Sequence, residues 1–136
     1  MPVATEKIIR RPRVFASDTG LIAHVKGWEQ IREDDRRHLW ENLVLDELRA
    51  KYPMHSLHYW RSKSQNEVDF VIQREADRAD AVEAKITPRA LDARSLLAFR
   101  KLHPKGTNHL VCPHVSEPYE FREAGLAIRV SAPADV

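Results

Sequence analysis

One cysteine and four glycines stand among 136 residues, and each shortage excludes a class of function. The lone Cys112 allows no internal disulfide framework and fits a reducing compartment. So few glycines leave no loop to cradle phosphates. Neither GxxxxGK(S/T) nor GxGxxG occurs, so nucleotide hydrolysis by this chain alone is not expected. No apolar run is long enough to span a bilayer. The N-terminus, MPVATEKIIRRPR, lacks the apolar stretch of a signal peptide. A cytoplasmic protein without membrane association is the expectation. Charge of either sign is also scarce in the balance. A net +2 does not by itself indicate nucleic acid.

What is there suffices for one domain, 1–136, since 43% hydrophobic residues can bury a core and 31% charged residues keep it soluble. There is no internal repeat. A loose basic arm at about 1–12 leads to a short strand at 13–16 and a helix through GLIAHVK, capped by Ser17 or Asp18 and ended by Gly27. EQIREDDRR is a charged connector that includes the start of the next helix. LWENLVLDELRAKY (39–52) has the strongest helical period and is closed by Pro53. Strands are predicted at 57–61, 67–73 and 80–86. A second long helix opens at Pro88 and stops at Pro104, and further strands follow at 108–112 and 125–130. The result is an α/β fold, a sheet flanked by helices.

The stretch EVDFVIQREADRADAVEAKI (67–86) raises the functional question. Its polar break at 74–79 suits a hairpin, and if Gln73 pairs with Ala79, Asp69 falls opposite Glu83. Cross-strand partners point the same way, roughly 4.5–5.5 Å apart at Cβ. Val68, Phe70 and Ile72 then share one face with Val82, Ala84 and Ile86. Asp69, Glu83 and Lys85 share the other face with Val71, Ala81 and the flank of helix 39–52. Two acids facing each other repel unless a cation lies between them, and Asp is disfavoured in strands. The bland alternative is a cross-strand ion pair worth only ~0.2–1 kcal/mol. Glu41 adds to the pattern. It lies on the apolar stripe with Val44, Leu45 and Leu48, where an acid needs a partner. Glu47 is placed nearly as well.

A divalent cation, Mg²⁺ or Mn²⁺, would answer this pattern. Asp69, Glu83 and the main-chain carbonyl of Ala84 supply hard oxygen donors, with Glu41 binding directly or through water. Lys85 on the same face would orient the attacking water or steady charge in the transition state. This set performs phosphodiester hydrolysis in principle.

The spacing of Asp69, 13 residues and then Glu83-Ala84-Lys85, behind an acid-bearing helix, is similar to the PD-(D/E)xK nuclease superfamily, with its restriction-endonuclease-like fold. More closely, VFASDTGLIAH, LWENLVLDEL, YWRSKSQNEVDFVI and VEAK together resemble the C-terminal domain of a group of prokaryotic AAA-type ATPases, known as domain of unknown function 4143. The resemblance covers about residues 8–104. It implies an α-β-β-β-α-β core with Asp69, Glu83 and Lys85 on the motif positions and Glu41 on the preceding helix. Val68 stands where the motif usually has proline. An ATPase module normally precedes such a domain, so the chain is expected to be a fragment or a stand-alone relative. A homodimer is a further expected partner state.

The basic residues gather as Arg10, Arg11 and Arg13, then Arg36 and Arg37, then Arg61 and Lys63, then Arg100, Lys101 and Lys105. Of these, Arg61, Lys63, Arg100, Lys101 and Lys105 are the candidate DNA-phosphate contacts, provided that they converge. Trp60, beside Arg61 and Lys63, is the candidate to stack on a base, and Trp40 belongs to the core. His55 and His58, or His109, Cys112 and His114, invite a zinc reading, but strand alternation sends His109 and Cys112 to opposite faces. Two readings follow: a metal-dependent nuclease-like domain acting on DNA, or a non-catalytic docking or regulatory module of an ATPase.

Overall fold

A computed structural model describes residues 32–136. The expected basic arm, the strand at 13–16, the helix through GLIAHVK and its neighbour Trp28 lie outside the described residues. Eight main elements follow one another: α1 (Glu33–Lys51), β1 (Leu57–Arg61), β2 (Glu67–Gln73), β3 (Ala79–Ala84), α2 (Ala93–Leu102), β4 (Asn108–Val111), β5 (Tyr119–Glu123) and β6 (Leu126–Ser131). The strands form one mixed sheet in the order β1-β2-β3-β4-β6-β5. β3, β4 and β6 run parallel, while β1-β2-β3 and β6-β5 are antiparallel. The expected α/β architecture is the observed one, a mixed sheet flanked by helices.

Each helix covers one face. α1 begins in the charged connector, where Glu33, Asp34 and Asp35 complement the positive end of its dipole and Arg49 and Lys51 the negative end. Its stripe of Val44, Leu45 and Leu48 packs on Phe70, Ile72, Val82, Ala84 and Val111. α2 packs Leu96 and Phe99 on the opposite face, against Trp60, Val68, Val71, Ala81, Leu110, Ile128 and Val130. This helix starts later than its sequence predicts. Pro88 opens only a short 3₁₀ turn (Pro88–Ala90), and Asp92 is the true N-cap, its carboxylate accepting from the Arg94 N–H. Pro88 stands at a helix-compatible position in either case, and the side-chain cap decides. β5 carries no alternating apolar pattern beyond Tyr119 and Phe121, and sequence reasoning missed it.

The β2–β3 register is the predicted one, with Gln73 opposite Ala79 and Phe70 opposite Val82. One residue departs from it. His58 pairs with Val71 and Trp60 with Val68, so β1 advances two residues while β2 advances three. The extra residue is a bulge in β2 at Asp69 and Phe70. It turns Val68 to the α2 face, away from Phe70 and Ile72. Ile86, expected on the same face, lies beyond the end of β3 and is half-buried.

Two further expectations are corrected. Trp60 is fully buried, its ring set edge-on to Phe99 with centroids 5.5 Å apart, so it is a core residue and not a base-stacking platform. Arg100, expected at DNA phosphates, is buried in the last turn of α2. Its guanidinium donates to Asn108 Oδ1 at 2.7 Å and to the carbonyls of Ala79, His103, Lys105 and Thr107 at 2.9–3.1 Å. Burial pushes its pKa down to about 10, with the Asp80 charge acting against that. Gly106 closes the loop around this group at φ +137°, where a Cβ would stand 2.0 Å from the Ala79 carbonyl oxygen.

Arg100→Met nearly keeps the volume and removes every donor; Asn108 Oδ1 and the His103 carbonyl lose this partner, while the Lys105 and Thr107 carbonyls keep the Ala79 and Ala81 N–H groups. We expect a loss of about 3 kcal/mol or more in denaturant-melt stability. Unchanged stability coupled to weaker DNA binding would instead return Arg100 to the surface role.

Candidate functional site

The β2 bulge and the end of β3 bring Asp69, Glu83 and Lys85 together. Glu83 is in register with Leu110, a residue of the α2-side core, which puts the acid on that face. Asp69 Oδ2 accepts from the Ala84 N–H at 2.9 Å and from Lys85 Nζ at 2.9 Å. Lys85 Nζ also lies 2.9 Å from Glu83 Oε2. The cation between the two acids is therefore the protein's own lysine. Glu83 Oε1 is buried and has no hydrogen-bond partner among the described residues.

The electrostatics follow from burial. Burial, and next the charge of Asp69, raise the Glu83 pKa to about 8, with Lys85 opposing. Burial alone would lower the Lys85 pKa, yet the charges of Asp69 and Glu83 outweigh it and hold the ammonium above its ordinary range.

The three groups open into a polar cavity of about 350 Å³, lined also by Arg37 and Glu41 from α1, Gln65 and Glu67 from the β1–β2 turn, and Asp92 and Ser95 from the start of α2. Glu41 thus reaches the cavity, as the sequence led us to expect, although α1 packs its apolar stripe on the other face of the sheet. Glu47 is exposed. Among the described residues no group of three or more His, Cys, Asp or Glu side chains is gathered closely enough to hold a metal ion. Glu41 lines the same cavity from α1. The Asp69 and Glu83 carboxylates are hard oxygen donors, and the orphaned Glu83 Oε1 fits a cation that retains several waters.

The candidate phosphate contacts do not converge. Arg61 is half-buried and paired with Glu67 at 3.1 Å, and Lys63 is exposed on the adjoining turn. Lys101 is exposed at the far end of α2, about 9 Å along the axis from Ser95 at 1.5 Å per residue. Lys105 is exposed and pairs with Asp77. Sequence reasoning missed Arg37, Gln65, Glu67, Asp92 and Ser95 as cavity residues. Arg37 alone carried a legible signal, standing one helical turn before Glu41. His109, in register with Val82, faces α1, whereas Cys112 packs in the α2-side core. Burial pushes the Cys112 thiol up to about 11, so it is a poor nucleophile. Among the described residues no helix is long and apolar enough to cross a membrane.

The raised Glu83 pKa has a definite sign. Between about 4.5 and 8 the unfolded chain has released this proton and the folded protein still holds it, so the group's contribution to stability falls as pH rises through that window. His109, lowered to about 4 by burial despite the Asp80 charge, acts oppositely, adding stability as pH rises towards 6.5. We expect the difference in stability between the protein and Glu83→Gln to change steadily in favour of the variant from pH 4.5 to 8. Denaturant melts at a series of pH values measure it, and a pH-independent difference would mean an ordinary carboxylate.

No curated protein matches this sequence. A chain in the refined half-complex from a tetradecameric assembly of Thermococcus gammatolerans McrB AAA+ hexamers with bound McrC is similar at 16% identity and a TM-score of 0.47. The match covers 72% of this chain and 28% of that one, so the chain spans little more than a quarter of that length. A likeness this faint has no bearing on activity. The family model for Domain of unknown function (DUF4143) matches residues 36–132, from the second turn of α1 past the end of β6. The chain belongs to the DUF4143 family.

Proposed function

We propose that this domain carries a divalent-cation-dependent phosphodiesterase site of the PD-(D/E)xK kind, acting on DNA. The observation that carries this reading is Glu83 Oε1, a buried carboxyl oxygen without a hydrogen-bond partner among the described residues, beside Asp69 in an open polar cavity. A purely structural acid would be expected to have that oxygen satisfied, because leaving a buried polar group unpaired costs more than the bond itself contributes. Asp69 and Glu83 would hold Mg²⁺ or Mn²⁺, with Glu41 reaching it through water. When bound, the cation supplies Lewis acidity that lowers the pKa of water and offsets charge on the phosphate. Lys85, already within 2.9 Å of both acids, has the reach to orient the attacking water or to meet charge developing on a phosphoryl oxygen. The resemblance to C-terminal domains of prokaryotic AAA-type ATPases makes an ATPase module the partner we propose within a longer protein.

A second reading rests on a specific observation. Lys85 contacts both carboxylates, so the triad is also a complete internal ion bridge, as a non-catalytic docking module of an ATPase would need.

A cation titration separates the two. With Mg²⁺ or Mn²⁺ at millimolar levels, we expect the melting temperature to rise as RT ln(1 + [L]/Kd) dictates, and supercoiled or linear DNA to be cleaved. Glu83→Gln should melt no lower than the unmodified protein without metal, and lose both the metal-induced rise and cleavage. Asp69→Asn should lose them too, but melt lower, because Asp69 Oδ2 holds the Ala84 N–H and Lys85. Lys85→Ala removes the cation between two buried acids and should destabilise the metal-free protein by about 3–5 kcal/mol. Its metal-induced rise should persist, without cleavage. If metal leaves every melting curve unchanged, the bridge is structural and the docking reading takes its place.

A further inference from the structure

Cavity residues other than the triad include a pair that the phosphodiesterase chemistry does not use. Gln65 sits in the turn joining β1 to β2, where its backbone has φ +67°. That left-handed conformation is costly for a side chain with a Cβ, and Asn66, one place later, is the residue type that tolerates it better. The turn is fixed from both ends, with the Ser62 N–H donating to the Asn66 carbonyl at 2.8 Å and the Gln65 N–H to the Ser62 carbonyl at 3.2 Å. A strained residue at the lip of a cavity, kept where glycine or asparagine would be easier, calls for a use of its side chain.

The side chain is also oriented. Arg61 donates to Gln65 Oε1 and is itself held by Glu67 Oε1 at 3.1 Å. A guanidinium has only donors, so the oxygen of the amide must face it. The two Nε2 hydrogens are left for a ligand that accepts. Across the cavity stands Arg37, an exposed guanidinium on α1. Of the carboxylates around the cavity, Glu67 is balanced by Arg61 and Asp92 by Arg94, 2.9 Å away, both on the outside. The inner group of Asp69 and Glu83 has Lys85. Glu41, one helical turn beyond Arg37 on α1, has an interaction of its own. Arg37 is in no ion pair among the described residues, and it and the oriented amide line the same cavity as a cation and a neutral donor for an incoming anion. Donors of both kinds around a site of this size suit the non-bridging oxygens of a phosphodiester.

We propose that Gln65 and Arg37 form a clamp for the nucleic-acid backbone next to the reacting phosphate, Arg37 by charge and Gln65 by its amide hydrogens. The clamp rests on the phosphodiesterase reading and names how that site would hold its substrate. It is distinct from Lys101, at the far end of α2, and Lys105, in the loop beyond it.

The test is binding of a fluorescein-labelled DNA duplex with a single-stranded overhang, followed by anisotropy in Ca²⁺ over a range of salt, beside melting curves with and without Mn²⁺. Arg37→Ala should weaken binding about tenfold or more and reduce the slope of log affinity against log salt by about 1. Gln65→Gly should weaken binding several-fold with the salt slope unchanged, while melting no lower than the parent, since glycine relieves the backbone. Both variants should keep the Mn²⁺-induced rise in melting temperature. If they keep that rise and bind DNA as the parent does, the clamp is overturned and the phosphodiesterase reading stands. If the parent itself shows neither the rise nor DNA binding, both fall together.

Discussion

Two buried carboxylates side by side cannot both carry charge without a cation, and that constraint organises this molecule's most unusual corner. Asp69 and Glu83 meet because β2 and β3 pair in a fixed register, and Lys85 reaches both from just past the end of β3. The sheet gives way locally to allow it. The bulge in β2 turns Val68 into the α2-side core next to Asp69, so an acid can line a cavity while its neighbour stays dry. The Ala84 N–H then takes the carboxylate of Asp69 as its acceptor. The same acid thus serves the backbone, the lysine and the cavity.

Much of the architecture is legible in the sequence because it depends on period and on local chemistry. The α1 stripe, the β2–β3 hairpin and the facing of Asp69 and Glu83 follow from spacing alone. What escapes depends on partners far away in the chain. A bulge leaves no composition mark, so Val68 reads as an ordinary alternating residue. Arg100 reads as a solvated cation at a helix end, yet four carbonyls and Asn108 draw it inside, and only the fold around 103–108 reveals them. Trp60 reads as exposed beside Arg61 and Lys63, because nothing local shows that Phe99 will cover it. β5 is half polar and, among the described residues, pairs only with β6, so its pattern is weak. The cavity residues Gln65, Asp92 and Ser95 come from turns and a helix start, where sequence signals backbone shape and says little of what a side chain faces.

Polar burial elsewhere follows a different rule from that at the acids. Asp80 is buried, held below its usual carboxylate range by the Thr107 N–H and by Arg74, which outweigh the burial that would raise it. There every lone pair of the acid that matters has a donor, and the group is inert. Glu83 is its opposite, with one oxygen on Lys85 and the other without a partner among the described residues. The contrast within a single strand, three residues apart, separates an acid that locks the fold from one that is left able to do something.

The position of β6 has a consequence for how the molecule assembles. β6 is the last strand in the chain, yet it lies between β4 and β5, inside the sheet. Its parallel pairing with β4 can form only after the connection that carries β5 has looped out and returned. Ile128 and Val130 complete the core under α2 from that strand. A nascent chain that has exposed everything from α1 through β4 therefore still presents an open β4 edge and an unfinished apolar layer, and this edge stays open to pairing with the wrong partner until residues 126–131 arrive.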